Sequence, residues 1–132
     1  MKVLVDSGAV LALINRRDRW HEAALATLND LVRREAQLIM TSFLIAETHA
    51  LLLARMGRQL AREWLLSYDW NLIHVSPGDA RLAREIIARY QDKDFSYTDA
   101  TSFVVMRQYD IPVAFTFDRH FDQFGLGVVG RS

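Results

Sequence analysis

The sequence has no cysteine, two prolines, six glycines and only two lysines among 132 residues. Without cysteine there is neither a disulfide framework nor a thiolate metal site. With so few prolines and glycines there is no linker, no low-complexity tract and no internal repeat, so one domain over residues 1–132 is expected. No apolar run approaches the roughly 18 residues of a membrane span, and the start lacks a basic region leading into a signal-peptide core. A cytoplasmic protein with no membrane attachment is expected. There is no excess of charge either: 16 Lys and Arg offset 16 Asp and Glu. That balance argues against binding nucleic acid by bulk positive charge, while leaving room for a local basic rim. Apart from Lys2 and Lys93 the cations are all arginine, the better fork for phosphate.

What is present is an alternation of short apolar runs and amphipathic stretches. Residues 3–5, 37–40, 70–75 and 113–116 read as strands, and 127–129 as an edge strand. Helices are expected over 7–14, about 19–35 behind an Asp18 cap, 42 to about 55 behind Thr41 or Ser42, and about 59–68. Two more follow, from Ser76-Pro77-Gly78-Asp79 to about 90 and from Ser96-Tyr97-Thr98-Asp99 to about 109. Both of the last two open on capping-box patterns. Strands separated by helices imply a parallel sheet with right-handed crossovers. The expected fold is a three-layer α/β/α sandwich around a mainly parallel sheet of four to five strands.

Asp6 is the first residue out of place. It follows a strand apolar enough to be buried on both faces, where an ionised carboxylate needs a partner or a metal. Read alone, it serves as the cap of the next helix at least as readily. Topology changes the balance. In a parallel sheet the crossover helices begin at the carboxyl edge of the strands, and ligands bind there. Asp6 ends the first strand, Asp118 follows the fourth, and Asp99 stands in the first turn of a helix. Glu47 lies five residues beyond Ser42, a rise of about 7.5 Å, from which a side chain can lean back towards the helix start. Each has a bland role of its own: Asp99 as the capping-box acid, Asp118 as a turn residue, Glu47 as a solvent-facing charge. Together, four converging carboxylates would repel unless a cation compensated. Oxygen ligands without cysteine suit Mg²⁺ or Mn²⁺, which serve phosphoryl chemistry. Asp6 is expected to cap with one oxygen and bind metal with the other.

The motifs Val3-Leu4-Val5-Asp6-Ser7, Thr41-Ser42 leading to Glu47, Ser96-Tyr97-Thr98-Asp99-Ala100 and Thr116-Phe117-Asp118 occur in this order along the whole chain. In that order and spacing the sequence resembles the PIN-domain ribonucleases, especially the VapC-type toxins of toxin–antitoxin pairs. The resemblance implies metal-dependent cleavage of RNA phosphodiesters, with Asp6, Glu47, Asp99 and Asp118 holding Mg²⁺ or Mn²⁺ and positioning the attacking water. It further implies that Ser7 and Thr116 orient carboxylates or phosphate, that the protein is a homodimer, and that a cognate antitoxin lies across the active-site groove. The chain departs from the pattern in its extra acids. Asp122 is kept as an acid that backs the ligands without touching the ion, and Asp92 and Asp94 are read as solvated loop charge. Arg16, Arg17 and Arg119 are the candidates for contact with RNA phosphates, the first two alternatively with antitoxin.

Other signals are set aside. Gly125-Leu126-Gly127-Val128-Val129-Gly130 matches a dinucleotide fingerprint, which works by opening a helix; only Arg131 and Ser132 follow it here. His21, His49, His74 and His120 show no paired ligand spacing, and His120 is read as a surface residue or one behind the ligands. Arg55, Arg58 and Arg62 read as a solvated face. Trp20, Trp64 and Trp70 read as core or dimer interface. Competing functions are a non-catalytic RNA-binding or scaffold module and a phosphoacceptor domain. The latter needs an acid pair after the first strand and a lysine near the last, and a haloacid-dehalogenase phosphatase needs an acid where Gly8 stands.

Overall fold

The computed structural model describes residues 1–130. Strands β1 (Lys2–Val5), β2 (Gln37–Thr41), β3 (Asn71–Ile73), β4 (Val113–Thr116) and β5 (Gly127–Gly130) form one sheet in the order β3-β2-β1-β4-β5. Every pairing is parallel. Helices α1 (Ser7–Ile14) and α2 (His21–Arg33) join β1 to β2, and α3 (Ser42–Met56) and α4 (Arg58–Ser67) join β2 to β3. Helices α5 (Pro77–Arg89) and α6 (Tyr97–Gln108) lead to β4, and α7 (His120–Gln123) leads to β5. This is the expected α/β/α sandwich, with the sheet at the upper end of the expected size.

Val3, Leu4 and Val5 are almost fully buried, as a central parallel strand covered on both faces requires. Around them the core closes with Phe103, Phe115 and Phe121, Leu31, Met40 and Leu44. Two local expectations needed adjustment. Asp18 does not cap α2: its Oδ1 accepts from the Trp20 N–H in a tight turn, and the helix starts later, at His21, without a side-chain cap. The third strand keeps only three residues because β3 pairs with β2 alone. As expected, two separate helices, α3 and α4, flank Gly57, which takes φ +93° and separates Arg55 from Arg58 and Arg62.

The glycine-rich stretch is a turn followed by a strand. Gly125 takes φ +91° as α7 ends, and Gly127 lies so close to β4 that a Cβ there would meet the Pro112 carbonyl oxygen at 2.8 Å. No helix opens there within the described residues, and Arg131 and Ser132 lie outside them.

Candidate active site

The strand order reverses between β1 and β4, and this switch point opens a crevice at the strands' carboxyl ends. Asp6 stands at its centre. The chain turns out of β1 at Asp6 (φ −80°, ψ 155°), the Asp6 N–H donates to the Phe115 carbonyl of β4 at 3.0 Å, and α1 begins at the next residue. Two residues past β4 comes Asp118. Ser96 opens α6 with a complete capping box: its hydroxyl accepts from the Asp99 N–H, and Asp99 Oδ2 accepts from the Ser96 N–H. The capping box thereby fixes the orientation of Asp99. Glu47, in the second turn of α3, does lean back, and its Oε1 accepts a short hydrogen bond from the Ser7 hydroxyl. All four acids line one cleft of about 500 Å³.

Hydrogen bonds bind these groups into a chain. Asp6 Oδ1 accepts from the Ser7 N–H at 2.9 Å, and Oδ2 accepts from the Thr116 hydroxyl at 2.7 Å. Thr116 Oγ1 in turn accepts from the Asp118 N–H at 3.0 Å. Both Asp6 oxygens are thus engaged, and an ion would have to use their remaining lone pairs. The expected division of labour, one oxygen capping and the other waiting for metal, is therefore modified by Thr116. Burial raises the Asp6 carboxyl to about 7; the Thr116 hydrogen bond opposes the rise, and the negative charges of Asp99, Asp118 and Glu47 add to it. A nearly buried carboxylate ringed by three others is held at a cost that a cation in the cleft would remove.

Asp99, Asp118 and His120 each bring one donor atom to within 4.8 Å of the others. His120 Nδ1 lies 2.8 Å from Asp99 Oδ2 and 3.4 Å from Asp118 Oδ1. Carboxylate oxygens with one imidazole at the margin fit Mg²⁺, and fit Mn²⁺ somewhat better because it tolerates nitrogen more readily. Neither lysine lines the cleft: Lys2 Nζ donates to the Tyr109 carbonyl and Lys93 pairs with Asp92. That removes the main requirement of a phosphoacceptor site.

The sequence pattern of the PIN domain family matches residues 3–126. The chain belongs to the PIN-domain family. Within it the likeness runs to the VapC branch: the chain is 32% identical over 128 residues to the 23S rRNA-specific endonuclease VapC20 of Mycobacterium tuberculosis, covering 94% of this chain and 95% of the relative. The crystal structure of that VapC20, described as a sarcin-ricin loop cleaving toxin, superposes with a TM-score of 0.81 at 29% identity over 94% of this chain and 95% of its own. FitAcB from Neisseria gonorrhoeae shares the fold with a TM-score of 0.72 at 18% identity, over 98% and 96% of the two chains. A toxin–antitoxin complex from Klebsiella pneumoniae does so at 0.69 and 18%, over 96% and 95%.

In this PIN domain the remaining predicted residues divide. Ser7 and Thr116 orient carboxylates directly. Arg16 and Arg17 are exposed and line a second hollow beside the cleft. Asp122 and Arg119 are exposed on and before α7 and do not line the cleft, because the turn of α7 carries both away from it. Asp94, read as loop charge, borders the cleft, whereas Asp92 is paired with Lys93. Trp20, Trp64 and Trp70 all pack against the core as expected, and Trp20 also lines the cleft, stacked on Phe117 with ring centroids 5.1 Å apart and planes within 10°. His21 is satisfied by the Ala12 carbonyl. Two residues set aside in the sequence belong to the site. His120 touches two of the acids, a placement its position two residues after Asp118 hinted at. Arg55 lines both the cleft and the Arg16–Arg17 hollow. Its signal was periodicity: Glu47, Leu51 and Arg55 are four apart and line the cleft together.

Proposed function

We propose that this PIN domain is a Mg²⁺- or Mn²⁺-dependent endoribonuclease acting in the cytoplasm as the toxin of a toxin–antitoxin pair. The observation that carries the reading is Asp6: a nearly buried carboxyl at the switch point, destabilised by Asp99, Asp118 and Glu47 at once. Such an arrangement is unfavourable in a metal-free protein and becomes favourable when a divalent cation is held. Asp6, Asp99, Asp118 and Glu47 would hold that ion. When bound, it supplies a lowered water pKa and neutralises charge developing on phosphate oxygens. The chain's own residues do the positioning. Ser7 steadies Glu47, Thr116 ties Asp6 to the backbone that presents Asp118, and the Ser96 capping box sets Asp99. Arg55, with Arg16 and Arg17 beyond it, supplies positive charge along one wall for phosphates flanking the scissile bond. Trp20 and Phe117, stacked on each other, add apolar surface to the same cleft.

VapC membership supports an antitoxin partner whose segment occupies the groove, and a homodimer as the unit it silences. The test is direct. Purified protein is incubated with ribosomal RNA, the named target of the mycobacterial relative, and with transfer RNA and message, in Mn²⁺, Mg²⁺ or EDTA. Metal-dependent cuts that disappear in Asp6→Asn are expected. Absence of cleavage together with absence of divalent-ion binding by calorimetry would return the chain to a non-catalytic RNA-binding or scaffold role. Light scattering on the isolated protein measures the oligomeric state.

A further inference from the structure

We propose that His120 is a positioning residue of the metal site: its Nδ1–H holds Asp99 while its backbone N–H holds the adjacent Asp118, and together they turn the opposite oxygen of each towards the ion. The inference rests on the metal-site reading given above and adds a residue to it. Both neighbours of Nδ1 are carboxylate oxygens, which only accept, so the proton belongs on Nδ1. Asp99 Oδ2 then accepts twice, from His120 Nδ1 at 2.8 Å and from the Ser96 N–H at 3.0 Å. That saturates Oδ2 and leaves Oδ1 for an ion. Asp118 Oδ1 accepts from the His120 backbone N–H at 2.9 Å, with the ring Nδ1 3.4 Å away, leaving Oδ2. The ring is itself held, edge-on to the buried Phe95 with centroids 5.5 Å apart. Its side chain is only 26% exposed. His120 therefore joins the start of α6 to the end of β4, two segments that no backbone ladder connects. Through Asp118 and Thr116 the clamp extends to Asp6, so three acids from three segments share one hydrogen-bonded frame.

The alternative for the same imidazole is direct ligation of the ion through Nε2, and side-chain chemistry separates the two. An asparagine amide places its N–H where Nδ1 lies, whereas glutamine places a polar atom where Nε2 lies. Mn²⁺ binding by calorimetry is measured for the parent, His120→Asn, His120→Gln and His120→Ala, with thermal melts to confirm folding and with kcat and KM determined separately. Loss of an outer hydrogen-bond partner typically weakens metal binding about 10- to 100-fold. We expect His120→Ala and His120→Gln to lose that much, and His120→Asn to stay within about threefold of the parent, with kcat recovering alongside metal affinity while KM for RNA holds steady. A residue that merely supports the fold would lower melting temperatures without this Asn-over-Gln order. Parent-like binding by all variants, glutamine matching or exceeding asparagine, or asparagine no better than alanine each overturns the clamp. Asp99→Asn and Asp118→Asn are the controls. If the parent binds no Mn²⁺, or these two bind as well as the parent, the metal-site reading itself is wrong; if they lose binding and the His120 series does not, only the clamp is.

Discussion

Replacing Asp6 by asparagine separates the cost of the site from its use. In the metal-free protein the Asp6 carboxyl rises from an ordinary 3.8 to about 7. At 1.36 kcal/mol per pH unit that rise is worth about 4 kcal/mol. Its sign follows from linkage. Between about pH 4 and pH 7 the folded protein keeps a proton that the unfolded chain has released, so stability falls as pH rises through this window and levels off above it. Asparagine is neutral throughout and escapes the decline. Its carbonyl can still accept from the Ser7 N–H, but its amide group points at the Thr116 hydroxyl, which already accepts from the Asp118 N–H. Giving up the Thr116 donation costs about 1 kcal/mol. The two effects leave the variant more stable than the parent by about 3 kcal/mol at pH 8, and its advantage should grow by about 2 to 3 kcal/mol between pH 5 and pH 8. Urea unfolding in EDTA at several pH values measures this. Mn²⁺ should close the gap and then reverse the order, because an ion at 100 times its Kd stabilises the parent by about 2.7 kcal/mol and at 1,000 times by about 4.1 kcal/mol, and leaves the variant without that gain. Cleavage should be abolished in the variant. A variant less stable than the parent at pH 8 in EDTA, or an advantage flat across pH, would refute the electrostatic account and return Asp6 to a purely structural role.

Other expectations come from the same frame. Thr116→Val removes the donor to Asp6 and the acceptor for the Asp118 N–H, and should cost about 1 to 3 kcal/mol in urea unfolding while pushing the Asp6 carboxyl higher still. Mn²⁺ affinity should rise as pH climbs towards about 7, where the Asp6 proton must leave, and flatten above it in calorimetry. Combined Arg16→Ala, Arg17→Ala and Arg55→Ala should weaken RNA binding, with Mn²⁺ affinity unchanged. The log–log salt slope should fall by about 0.7 for each phosphate that the variant leaves without a cation. A salt slope equal to the parent's would place the RNA path elsewhere.

The local code settled most of the secondary structure. A short β-branched run at Val3–Val5 had to be covered on both faces, and the Ser76 and Ser96 capping boxes marked the starts of α5 and α6 to the residue. Alternation of strands and helices then determined a parallel sheet, and with it the edge on which Asp6, Asp99 and Asp118 stand. Those are consequences of short-range sterics and hydrogen bonding, which a sequence states openly. Tertiary structure decided what depends on side-chain direction across distant segments. The order β3-β2-β1-β4-β5 put Asp6 against β4, so that Thr116 reaches a carboxylate 110 residues away along the chain. The curl of α7 carried Asp122 and Arg119 out of the cleft and turned His120 into it. The Gly57 break left Arg55 on the cleft while Arg58 and Arg62 went to a separate groove. Only the Gly57 break was legible locally; the rest follows from how rigid elements pack, and packing is set by the whole core at once.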